Sequence, residues 1–75
     1  MRWQEVITSD PAILQGKACF RATRIPVEVV LANLAAGLDE AAIRNSYPTL
    51  PPDAIRAALA YAAELAGERV IELPA

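Results

Sequence analysis

The sequence predicts a mainly α-helical fold: short N-terminal β-strands within residues 1–26, a three-helix bundle across 27–66 with a helix-turn-helix-like pair, and a tail at 67–75. Three observations predict it. Short apolar runs broken by turn residues fill the first third. Apolar residues recur at helical spacing from Val27 to Leu65. Proline, glycine and aspartate stand where helices begin and end. At 75 residues the chain makes a single domain.

The first third reads as extended. Val6-Ile7-Thr8 is a β-type run stopped by the turn signal Ser9-Asp10-Pro11. Gly16-Lys17 supplies the next bend, and Ala18-Cys19-Phe20-Arg21 is a second run. Ala22-Thr23 makes a small turn before Arg24-Ile25, so two or three short strands are expected. Pro26, with fixed φ and no N–H, suits the first turn of a helix.

Val27, Val30, Leu31 and Leu34 lie on one face of the first helix, and Gly37 caps its end. Asp39 caps the second helix and Glu40 complements its dipole, while Leu38 and Ile43 suit a hydrophobic staple. Tyr47-Pro48 ends that helix, because a residue before proline avoids the helical region. A third helix is expected from near Pro52, with Leu50 and Ile55 repeating the staple spacing. Ile55, Ala58, Leu59, Ala62 and Leu65 form an apolar stripe, and Ala54, Ala57, Ala60 and Tyr61 cover much of the rest. A helix apolar nearly all round is buried nearly all round, so a second face is expected to meet another chain. Gly67 is expected to release the tail, whose Val70, Ile71 and Leu73 are apolar for a chain end. Ala54, Ala58, Tyr61, Ala62, Val70, Ile71 and Leu73 are therefore the candidate dimer or partner contacts. The tail is expected to add a strand to the N-terminal sheet near Val6-Ile7, or else to a partner.

So small a domain usually needs a staple. The single cysteine excludes an internal disulfide, and the lack of histidine leaves a zinc site short of ligands. That leaves association, and a homodimer is expected. No cofactor or metal is expected. With 55% apolar residues the chain is too hydrophobic for disorder. MRWQEV lacks the apolar core of a signal peptide, and the run Ala57 to Ala63 is far too short to span a bilayer. A cytoplasmic protein without membrane contact is expected.

Charge is uneven. Residues 1–27 carry a net +2 and residues 28–75 a net −4. Lys17, Arg21 and Arg24 cluster in "GKACFRATRIPV", which contains no acid, and are the candidate DNA-phosphate contacts. The competing reading is structural: Arg24 and Glu28 stand four apart at a helix start, and Arg21 can meet an acid elsewhere. The third helix makes a poor base reader, since its N-terminal end offers Asp53 and only Arg56. No histidine is available as a general base, and no serine or cysteine has an evident activating partner. Cys19 reads as a buried structural thiol. No catalytic residue is assigned, and an enzyme is not expected.

"GKACFRATRIPV", "LAAGLDEAAIRNSYPTL" and "PPDAIRAALAYAAEL", in that order, resemble the pattern of domain-of-unknown-function family 433 from about Ile7 to Leu65. Gly16, Thr23, Arg24, Ile25 and Pro26 match the first block, and Gly37, Tyr47 and Pro48 the second. Ile55, Ala58, Leu59 and Tyr61 match the third. Two positions depart from it. Ala22 stands where the family commonly has glycine, so a positive φ there would be strained. Pro51 stands where a serine or threonine usually caps the third helix.

The resemblance implies a three-helix, homeodomain-like fold preceded by a short β element, in small, mostly prokaryotic proteins. It implies the antitoxin half of a type II toxin–antitoxin pair. The partner would be a PIN-like ribonuclease encoded next door, with operator DNA bound by a dimer. The alternatives are a homo-oligomeric protein-binding adaptor that never touches DNA, and a stand-alone helix-turn-helix DNA-binding regulator. The last needs an exposed third helix, and the acidic helical half counts against it.

Overall fold

The computed structural model describes residues 1–68. A 3-10 turn at Trp3–Glu5 leads into strand β1 (Ile7–Thr8), and a second such turn at Leu14–Gly16 precedes strand β2 (Cys19–Phe20). Helices α1 (Val27–Ala35), α2 (Glu40–Ser46) and α3 (Ala54–Glu68) follow. The fold is mainly helical, with a short two-stranded antiparallel sheet at its N-terminal end.

Ile7 faces Phe20 and Thr8 faces Cys19 across the sheet. On its other side Cys19 bridges Pro26, while Phe20 N–H donates to the Ile25 carbonyl at 3.1 Å and Val27 N–H to that of Ala18 at 3.0 Å. The third strand is thus reduced to a bridge, because Pro26 has no N–H with which to continue a ladder. Between the strands, Leu14 and Gln15 join Gly16 in the left-handed region, with φ of 51, 56 and 83°. Only the bend at Gly16 was expected. For Leu14 and Gln15 this conformation costs about 1–2 kcal/mol each.

α1 starts after Pro26, which sits at the N-cap with extended backbone rather than inside the first turn. It ends in a Schellman motif. Gly37 takes φ 93°, its N–H reaches the Leu34 carbonyl at 3.0 Å, and Leu38 N–H reaches that of Asn33 at 3.1 Å. The Asp39 carboxylate accepts from Ala42 N–H at 2.9 Å, capping α2 as expected. Leu38 stays exposed while Ile43 is buried, so that staple does not cover its first member.

α3 begins at Ala54, two residues later than expected. The residue before a proline avoids the helical region, so Pro51-Pro52 delays entry, and Ala54 N–H donates to the Pro51 carbonyl at 3.0 Å. Nor does Gly67 stop the helix, which runs to Glu68. A glycine ends a helix where it turns left-handed, as Gly37 does; otherwise it costs only about 1 kcal/mol relative to alanine.

Phe20 and Val30 are fully enclosed at the centre of the core, with Ile7, Val27, Ile43 and Leu50 around them. α3 contributes Ile55 and three alanines, Ala54, Ala57 and Ala58, whose small side chains let it approach closely. Each large apolar side chain buried here stabilises the fold by about 1.5–3 kcal/mol. Cys19 is a free, buried thiol beside this core. One expectation is corrected: Ala54 and Ala58 are 0% exposed and offer no surface to a partner. Their smallness draws them into the chain's own core.

Candidate protein-binding surface

The inward stripe of α3 outruns the core that the described residues can build. Along it, Ala54 and Ala58 are enclosed, Tyr61 is half-buried, and Leu65 is 45% exposed. The last two turns of this 15-residue helix therefore continue an apolar surface past the packed interior. Pro26, Val27 and Leu31 face Tyr61 and Leu65 across an apolar groove of about 270 Å³. That volume suits one or two apolar side chains better than a drug-sized molecule, whose sites run from about 300 to 1,000 Å³.

Tyr61 is fixed from behind. The Trp3 ring stands edge-on to it, and the Trp3 indole N–H donates to the Glu64 carboxylate. The N-terminal turn is thereby latched to α3, setting one wall of the groove. Ala62 is half-buried beside it. Leu59 is 52% exposed and lies roughly 120° from Leu65 around the helix axis, so it belongs to a different face.

The three clustered cations have three different surroundings. Lys17 pairs with Glu28 at the rim of the groove, both side chains well exposed. Arg21 donates to the Gln4 carbonyl at 3.1 Å, a backbone partner instead of an acid. Among the described residues Arg24 has no ion pair and no side-chain hydrogen bond, so the Arg24–Glu28 pair is not formed. Arg24 edges a second groove of about 330 Å³, lined also by Thr8, Ile13, Cys19, Ala22 and Thr23. The turn beside it is tightly held. Ala22 takes φ 61°, and the Thr23 hydroxyl donates to the Phe20 carbonyl at 2.7 Å and accepts from Ile25 N–H at 3.1 Å.

At the N-terminal end of α3, Ala54 and Ile55 are buried and Arg56 is the exposed cation. Sequence reasoning missed Arg44. Its Nε donates to Glu40 at 2.8 Å, and its two terminal nitrogens donate to the carbonyls of Pro51, at 3.1 Å, and Pro52. The spacing of Glu40 and Arg44 was a readable signal for the first contact. Nothing in the sequence pointed to the other two. Val70, Ile71 and Leu73, the remaining candidate contacts, lie outside the described residues. No described helix is long and apolar enough to cross a membrane.

Residues 7–62 match the model of the family described as protein of unknown function, DUF433. The chain is 41% identical over 59 residues to the uncharacterized protein y4eO of Sinorhizobium fredii, covering 79% of this chain and 27% of that protein. A crystal structure of a DUF433 member from Anabaena variabilis superposes with a TM-score of 0.76 at 29% identity, covering 87% of this chain and 64% of that one. The chain thus spans about a quarter of the curated relative and under two thirds of the solved one.

Proposed function

The chain belongs to the DUF433 family, and we propose that it is an antitoxin-like regulatory protein that binds a PIN-like ribonuclease through the groove between α1 and the end of α3. The supporting observation is that groove, walled by Tyr61 and Leu65 on one side and Leu31 and Val27 on the other. An apolar anchor from a partner protein inserted there would continue the core and shield Leu65. Buried anchors of this kind dominate the energy of protein interfaces. The antitoxin role itself rests on the resemblance, and the groove adds a place for a protein to bind.

Titrating the purified protein with a PIN-like ribonuclease, the class of partner proposed, tests this reading. Micromolar or tighter binding, with loss of nuclease activity, is the expected result. The absence of any complex at tens of micromolar would overturn it.

A second reading, a homo-oligomer, is favoured by one observation. Leu59 is exposed on a face of α3 separate from the groove, so self-association and partner binding can coexist. DNA contact draws less support: Lys17 and Arg21 already have partners, and α3 presents only Arg56 at its leading end.

A further inference from the structure

Arg24 and Pro26 stand two residues apart but edge different grooves. Pro26 lines the apolar groove closed by Leu65, and Arg24 lines the one floored by Ile13, Cys19 and Ala22. Segment 24–26 is therefore a ridge between the two, no more than about 7 Å long. The ridge is firmly held. Cys19 bridges Pro26, Phe20 N–H donates to the Ile25 carbonyl, and the Thr23 hydroxyl accepts from Ile25 N–H.

From this arrangement we infer that Arg24 receives a carboxylate from the same partner segment that fills the apolar groove. The inference rests on the protein-binding reading proposed above and gives it a recognition chemistry: an apolar anchor with an Asp or Glu a few residues away.

Charge complementarity carries the choice of occupant. The second groove has no acidic residue in its lining, and Arg24 has no ion pair among the described residues. A polyanion such as a nucleic acid is bound by several cations that each neutralise a phosphate. Of the three clustered cations, Lys17 is paired with Glu28 and one Arg21 nitrogen is held by the Gln4 carbonyl. Among the described residues Arg24 is thus the one with no hydrogen-bond or ion-pair partner, and of the three it alone lines the second groove. One guanidinium matches one carboxylate, bidentately and with defined direction. The groove beneath it suits the apolar part of the acid or its neighbour.

The test measures binding of the PIN-like ribonuclease to the wild-type protein and to the Arg24→Gln, Arg24→Glu and Arg2→Ala variants. A random 20-base-pair duplex is titrated in parallel. Arg2 is exposed and makes no side-chain hydrogen bond or ion pair among the described residues, so its variant controls for net charge. Circular dichroism melts confirm that each variant folds. Arg24→Gln is expected to weaken nuclease binding about tenfold and Arg24→Glu further, with Arg2→Ala close to wild type. If wild type binds the nuclease and Arg24→Glu binds as well as Arg2→Ala does, this inference fails while the proposed function stands. If wild type does not bind it at all, both fail. If the Arg24 variants lose duplex binding but keep the nuclease, Arg24 is a phosphate contact and the carboxylate assignment is wrong.

Discussion

The ring of Trp3 stands edge-on to that of Tyr61, centroids 5.1 Å apart and planes at 76°. This is the favoured geometry for an aromatic pair, with a positive ring edge against a negative face. It joins the first turn of the chain to the last helix, across almost the whole sequence. Because Tyr61 also walls the apolar groove, the same contact links the stability of the fold to the shape of the proposed partner site.

Replacing Trp3 by alanine should therefore destabilise the fold by about 2 kcal/mol, less than for a fully buried tryptophan because Trp3 is half-exposed. Trp3→Phe keeps an aromatic edge but loses the hydrogen bond to Glu64, and should cost about 1 kcal/mol. Urea denaturation followed by far-ultraviolet circular dichroism measures both. A Trp3→Ala variant as stable as the parent would show that the latch contributes nothing.

Ala22 holds φ at 61°, so glycine should be better there than alanine. A non-glycine residue in this region costs about 1–2 kcal/mol, offset in part by the greater unfolded-state entropy of glycine. Ala22→Gly should raise stability by about 0.5–1 kcal/mol, and Ala22→Val should lower it. Paired denaturation curves check the sign. Destabilisation by glycine would mean that the Ala22 methyl makes packing contacts worth more than the strain.

Arg44 grips Glu40 in its own helix and the carbonyls of Pro51 and Pro52 at the entrance to α3. At this entrance Ala54 N–H also donates to the Pro51 carbonyl, and the guanidinium ties α2 to α3. Arg44→Ala should cost about 1–2 kcal/mol, and Arg44→Lys should recover under half of that, since an ammonium cannot span the carbonyls as a fork does. Lys17→Ala removes an exposed pair and should cost under about 0.5 kcal/mol. Equal losses at Arg44 and Lys17 would refute the clamp.

These residues mark the limits of what the sequence discloses. Gly37, Asp39 and Tyr47-Pro48 set their boundaries through local backbone chemistry, and each did so where expected. The φ of Ala22 was foreseeable because glycine is usual at that position in the family. Leu14 and Gln15 have no such signal, since neither favours the left-handed region, and tertiary context alone puts them there. The burial of Ala54 and Ala58 was also hidden. Periodicity marked α3 as two-faced, but which alanines meet α1 and the N-terminal turn depends on packing. The groove beside Leu65 depends on the same packing, as does the sorting of the three cations.

Leu59 and Leu65 occupy different faces of α3, so substitutions there test the proposed self-association and the proposed partner binding separately. Leu59→Glu places a charge on the outer face and should reduce self-association without weakening a complex with the nuclease. Leu65→Glu places one at the mouth of the groove and should weaken that complex at least tenfold, with the fold kept because Leu65 is only half-covered. Burial of each leucine in an interface would be worth about 1.5–3 kcal/mol, so a tenfold change is the minimum a true contact should show. Sedimentation velocity reports the oligomer, and calorimetric titration reports the complex. Two variants that both remain as associated and as tightly bound as the parent would leave α3 without either role.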